Sequence, residues 1–232
     1  MRLSELETPA LVLERARLER NIARMREHMA PLKVNLRPHV KTAKSIDVVR
    51  RALDGQRGGI AVSTLAEAEY FFGHGVKDIL YAVGIAPNKL AHVADLRRRG
   101  ADITVTLDNP DAAAALAADA RRYDTEFPAL IEIDSDGHRS GVQPGDPRLV
   151  QIARMLDAGP ATRMRGVMTH AGDSYNSRST AAITAMAERE RAAVVSCAET
   201  LARAGLPCPV VSVGSTPTAT FAQDLAGVTE VR

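Results

Sequence analysis

Three basic residues alternate with apolar ones in Leu36-Arg37-Pro38-His39-Val40-Lys41-Thr42. Read as a strand, this run puts Arg37, His39 and Lys41 on one face and Leu36, Pro38 and Val40 on the other. A surface strand with solvated bases would explain the split. A strand covered on both faces would instead need an anion to balance the basic side chains, and Lys41 would offer an amine nucleophile to a carbonyl. His170, after Arg165-Gly166-Val167-Met168-Thr169, could be a structural residue, a metal ligand or a ring stacked on an aromatic cofactor. Gly214-Ser215-Thr216 combines close backbone approach with two hydroxyls and successive N–H groups, which suits a phosphate as well as a simple turn. Arg139 is a planar cation in the polar 134–141 loop and could grip a phenolate or carboxylate. Asp134, Asp136 and His138 in that loop could be imagined as a divalent-metal site serving a hydrolase. They lack a recognised ligand spacing, and turn and capping roles suit them better.

Repeated strand–helix units must position these groups. After the extended apolar segment Thr8-Pro9-Ala10-Leu11-Val12-Leu13, Leu18, Ile22, Met25 and Met29 mark one face of a helix over 14–30. The opening strand ends at Lys41, and a helix covers 43–53. Strands are then predicted over 60–63, 78–83, 102–107, 129–134, 165–170, 209–213 and 228–232. Helices follow over 64–73, 88–99, 108–122, 147–158, 180–204 and 219–225, most of them stopped by glycine. Thr64-Leu65-Ala66-Glu67 has the pattern of a capping box, and Asp108-Asn109-Pro110 supplies a cap and an early-turn proline. Eight short apolar strands alternating with helices predict an α/β fold, a parallel (β/α)8 TIM-type barrel, with chemistry at the carboxyl ends of the strands. No GxGxxG follows the first strand, which disfavours an open doubly wound sheet. Pro38 is the discordant residue, because it cannot donate to a ladder.

Composition narrows the function. A net charge of +2 gives no electrostatic reason for nucleic acid or an anionic membrane, and 3% aromatic residues leave few stacking platforms for single strands. Arg50-Arg51, Arg97-Arg98-Arg99 and Arg121-Arg122 each end a predicted helix, where cations suit the macrodipole. Cys197 and Cys208 form no CxxC pair and fit buried thiols in a reducing compartment. The first residues have no apolar leader and no run approaches membrane-spanning length, so a cytoplasmic protein is expected.

Together the candidates describe one site. A lysine able to form an imine, a loop able to hold phosphate, and His170 and Arg139 addressing a flat anionic ring match pyridoxal 5'-phosphate. The chain resembles the alanine racemase-like (fold type III) pyridoxal-phosphate barrels, and more closely the D-threonine aldolase and D-serine dehydratase group. The matching pieces are Thr8-Pro9-Ala10-Leu11-Val12-Leu13, Arg37-Pro38-His39-Val40-Lys41-Thr42, residues 134–141, Thr169-His170-Ala171-Gly172 and Gly214-Ser215-Thr216-Pro217. The resemblance implies that Lys41 is the catalytic residue and holds the cofactor. It places Gly214, Ser215 and Thr216 on the phosphate, His170 against the ring, Arg139 near the ring oxygen or the substrate carboxylate, and Tyr175 beside the cofactor. It implies a lyase on D-3-hydroxy amino acids, homodimeric at full length, with a small-molecule substrate. The same resemblance implies a β-rich domain beyond strand eight that binds manganese or zinc. This sequence stops at Arg232 and reads as residues 1–232 of a barrel domain truncated after strand eight. A non-catalytic pyridoxal-phosphate homeostasis protein and an amino-acid racemase of the same fold are the alternatives.

Overall fold

The computed structural model describes residues 2–56, 58–137 and 139–232. Its elements run α1 (Arg15–Met29), β1 (Asn35–Leu36), α2 (Ile46–Leu53), β2 (Ile60–Val62), α3 (Leu65–Gly73), β3 (Asp78–Gly84), α4 (Leu90–Arg98) and β4 (Asp102–Leu107). They continue with α5 (Pro110–Ala120), β5 (Phe127–Ile133), α6 (Arg148–Ala158), β6 (Thr162–Thr169), α7 (Thr180–Arg203), β7 (Val210–Val213), α8 (Thr216–Phe221) and β8 (Glu230–Val231). The strands pair in the order β1-β8-β7-β6-β5-β4-β3-β2, all in parallel. Between β1 and β2 the described residues make a single bridge, His39 to Ala61. The predicted parallel barrel is therefore present, left half-open at that seam.

Strands covered on both faces explain the short apolar runs. Every residue of β2 and of β5 is buried. Ala61, Leu80, Leu130 and Met168 form a small cluster of their own. Their chain neighbours Ile60, Ile79, Ile131 and Val167 join the larger apolar layer that includes the helices. Alternation along each strand thus assigns the first set to the barrel interior. Local chemistry sets the helix ends. Thr64 Oγ1 accepts the Glu67 N–H at 3.1 Å, but the Glu67 carboxylate passes over Thr64 and takes the Ser63 N–H at 2.8 Å. Asn109 caps α5 through the Ala112 N–H at 2.8 Å, with Pro110 as its first residue. Among the described residues no helix is long and apolar enough to cross a membrane.

Several element bounds differ from those predicted, and two of the differences shape the site. α8 starts at Thr216, ahead of the predicted 219, because Ser215 and Thr218 close a capping box around Pro217. The strand expected to end at Lys41 stops at Leu36. Pro38 is the reason, because it has no N–H and the chain changes partner around it. The Arg37 N–H still donates to Val231 O on the β8 side (2.8 Å), whereas Pro38 O accepts from Ala61 on β2 (3.0 Å) and Val40 donates back to Ala61 O (3.0 Å). Residues 40–43 then turn, and α2 begins at Ile46 after Ser45.

Arg37, His39 and Lys41 consequently share no strand face. Arg37 reaches the amino ends of the strands, paired with Asp78 Oδ1 at 2.7 Å and Glu230 Oε2 at 2.8 Å. The anion its burial requires comes from the protein's own carboxylates. Lys41 is exposed on the turn.

Candidate active site

The carboxyl ends of the strands open on a cavity of about 340 Å³. Lys41 and Thr42 reach it from the turn after β1, and His170 and Tyr175 from the loop after β6. Residues 214–216 follow β7 into its wall, and Arg232 closes it after β8. Ile22 and Met25 of α1 supply apolar wall. Of the residues singled out from the sequence, Lys41, His170, Tyr175, Gly214, Ser215 and Thr216 therefore meet. Arg139 stands outside the lining. It is exposed, and its side chain lies over Gly172, where a Cβ would come within 2.7 Å of Arg139 Cδ.

Two histidines stand in this wall as neutral rings. His170 Nδ1 is 2.5 Å from the carbonyl oxygen of Gly214. A carbonyl can only accept, so Nδ1 carries the hydrogen. Burial lowers the His170 pKa to about 4, against the Gly214 hydrogen bond and with help from Arg232, Arg139 and Lys41. The Tyr175 ring lies 6.1 Å from it, tilted by 33°. His39 is likewise lowered to about 4, by burial and then by Lys41 and Arg232. Its Nδ1 accepts the Lys41 N–H at 3.4 Å and its Nε2 lies 3.3 Å from Ser63 Oγ. His39 thus ties the Lys41 turn to the end of β2.

The 214–216 loop is tightly built. Gly214 has a φ of +149°, and a Cβ there would strike the backbone of Arg232, so glycine lets β7 and β8 close together. Its N–H donates to Glu190 and its carbonyl accepts from His170. Ser215 Oγ accepts the Thr218 N–H at 3.2 Å and shares a 2.7 Å contact with Ser174 Oγ. Gly214 and Ser215 therefore spend these groups on shaping the loop, and Thr216 is its exposed member.

Arg232 joins the site without having been singled out from the sequence. Its Nε donates to Ser212 Oγ at 2.9 Å, and a terminal nitrogen bonds the Thr169 carbonyl. Ser212 in turn donates to Glu230 Oε1 at 2.8 Å, whose other oxygen holds Arg37. A polar chain therefore runs through the barrel from Asp78 to the cavity. The rule that selected the other strand mouths applies equally to the end of β8. Glu190 was missed as well, although a charged residue in register with Ala187, Val194 and Cys197 is a legible anomaly on an apolar helix face.

The imagined metal loop is organised otherwise. Asp134 Oδ1 accepts the Gly137 N–H at 2.9 Å in a local turn, and Asp136 Oδ2 accepts the Asp173 N–H at 2.9 Å. His138 lies outside the described residues. Among those described, no three His, Cys, Asp or Glu side chains gather as a metal site. Cys197 is buried and Cys208 half-buried, and burial pushes both thiols up to about 11.

The family model described as alanine racemase, N-terminal domain, matches residues 13–232. The D-threo-3-hydroxyaspartate dehydratase of Delftia sp. (strain HT23) is 53% identical over 99% of this chain and 60% of its own length. Its solved structure superposes with a TM-score of 0.95 over 98% of this chain and 60% of that one. The D-serine dehydratase of Dictyostelium discoideum is 30% identical over 93% of this chain and 57% of its own length. The 3-hydroxy-D-aspartate aldolase of Paracoccus denitrificans (strain Pd 1222) is 32% identical over 92% of this chain and 55% of its own length. The chain thus spans about 60% or less of the length of these relatives.

Proposed function

The chain belongs to the alanine racemase N-terminal domain family, and on that premise we propose that it is the cofactor-holding barrel of a pyridoxal-phosphate-dependent lyase, a dehydratase of D-3-hydroxy amino acids. The observation that carries this reading is the meeting of Lys41, His170 and the 214–216 loop around one cavity, from three separate parts of the chain.

The donor set fits a flat aldehyde that carries a phosphate. An amine stands at the mouth, a neutral ring and a phenol form one wall, and a glycine loop with an exposed threonine closes another. Lys41 would hold the cofactor covalently through Nζ and, once displaced by substrate, would move the α-proton on that nitrogen. The flat face of His170, fixed by its bond to Gly214, would lie against the ring. Residues 214–216 would hold the phosphate, with Thr216 as the contacting side chain and Gly214 and Ser215 keeping the loop in shape. Tyr175 would neighbour the cofactor. Arg139 would address the ring oxygen or the substrate carboxylate from above Gly172. Bound there, the cofactor supplies an electron sink for bonds breaking at the α-carbon. Manganese or zinc to handle the substrate hydroxyl is expected with the β-rich domain that the resemblance implies.

The likeness to the Delftia dehydratase supports elimination of water and makes D-threo-3-hydroxyaspartate the first substrate to try. The test is to load the chain with pyridoxal phosphate and add D-threo-3-hydroxyaspartate, D-serine, D-threonine or D-alanine while following the visible spectrum and products. A spectral change with the 3-hydroxy acids is expected of this chain, with little turnover, and release of ammonia with a 2-oxo acid is expected once the metal-binding domain is supplied. Glycine and an aldehyde would instead show retro-aldol cleavage. Inversion of D-alanine would show a racemase, and a spectrum indifferent to every amino acid a non-catalytic cofactor carrier.

A further inference from the structure

Glu190 is a carboxylate 1% exposed in the middle of α7, and none of the roles assigned above uses it. A buried carboxylate is costly unless its oxygens are well bonded. Its Oε1 accepts the Ala171 N–H at 2.8 Å and the Gly214 N–H at 3.2 Å. Ala171 follows His170 in the loop after β6, and Gly214 opens the loop after β7. The two loops also meet directly, through His170 Nδ1 and Gly214 O at 2.5 Å and through Ser174 Oγ and Ser215 Oγ at 2.7 Å. One oxygen atom thus gathers the ring-bearing loop and the candidate phosphate loop onto the helix behind them.

We infer that Glu190 is a positioning residue that sets the spacing between the His170 ring and the 214–216 loop, and so fits the cavity to a ligand carrying a flat ring and a phosphate together. The identity of that ligand rests on the function proposed above, while the clamp itself rests on the hydrogen bonds alone. What matters on this account is where the Oε1 acceptor sits. Glutamine keeps an acceptor at that position without the charge, whereas aspartate keeps the charge and withdraws the acceptor by one methylene.

The experiment compares Glu190→Gln and Glu190→Asp with the parent chain. In the cofactor-free protein, amide hydrogen exchange is read at Ala171 and Gly214 against Val167 and Val211, together with the His170 ¹⁵N shifts. In Glu190→Asp, protection at Ala171 and Gly214 is expected to fall about tenfold more than at the strand amides, whereas Glu190→Gln stays within about threefold. The preference for pyridoxal phosphate over pyridoxal, read by absorbance titration, should follow the same order. Local protection kept in the aspartate variant, or lost in the glutamine variant as deeply as in aspartate, would overturn the clamp. A parent chain that does not distinguish pyridoxal phosphate from pyridoxal would sink the cofactor reading, and the exchange data would still decide the role of Glu190.

Discussion

Nδ1 of His170 lies 2.5 Å from the carbonyl oxygen of Gly214, and this bond fixes which form of the ring faces the cavity. The bond requires a hydrogen on Nδ1, and burial, against that bond, keeps the ring neutral. Proton–nitrogen NMR of the chain at pH 7 should show that tautomer, and titration should show it persisting until the pH approaches the depressed value of about 4. A His170 ring that titrates near the ordinary 6.5 would contradict the burial argument.

The same depression sets a pH window for stability. His39 and His170 have folded pKa values of about 4, below the ordinary 6.5. The unfolded chain gains protons as pH falls through 6.5, and the folded chain does not until about 4, so stability is complete above 6.5 and is lost between those values. After allowance for their partial exposure, each ring should contribute about 1–2 kcal/mol of that loss. Urea unfolding across this range should show the slope, and His39→Asn should roughly halve it.

At the other end of the barrel, Arg37→Met should destabilise by about 3–5 kcal/mol, because it leaves a buried carboxylate without its partner. Glu230 is the exposed flank of the problem only to 8% of its side chain, against 48% for Asp78, so Glu230 carries most of that cost. Adding Glu230→Gln to Arg37→Met should restore much of the loss in denaturant titrations. A single substitution costing under about 1 kcal/mol would show that the pair is solvated.

Substitutions in the 214–216 loop should separate folding from binding. Ser215→Ala removes the cap of α8 and should cost about 1–2 kcal/mol of stability. Thr216→Ala is exposed and should leave stability within about 0.5 kcal/mol, yet weaken pyridoxal phosphate about tenfold while leaving pyridoxal alone. Equal loss of both ligands in Thr216→Ala would move the phosphate elsewhere.

The barrel was legible because its strands are short apolar runs between helices that glycines stop, and because Thr64 caps its helix as the sequence predicts. His170 and the 214–216 loop were legible because strand mouths are where this architecture places chemistry. Strand one was not. Alternation suggested a shared face for Arg37, His39 and Lys41, but Pro38 passes the chain from β8 to β2, and that exchange depends on partners far away in sequence. Arg37 shows the limit most plainly, since its carboxylates stand 41 and 193 residues from it. Glu190 carried a local signal in its apolar register, but its partners are loop amides that only the fold brings together.

The claim on which the account turns is that Lys41, on an exposed turn at the mouth of this cavity, is the amine that binds pyridoxal phosphate. Borohydride reduction of the loaded chain, followed by peptide mass spectrometry, tests it directly. The account predicts a reduced cofactor adduct on Lys41 that disappears in Lys41→Ala together with the visible band, while the far-ultraviolet spectrum is unchanged. An adduct on Lys44, or a visible band that survives in Lys41→Ala, would contradict it.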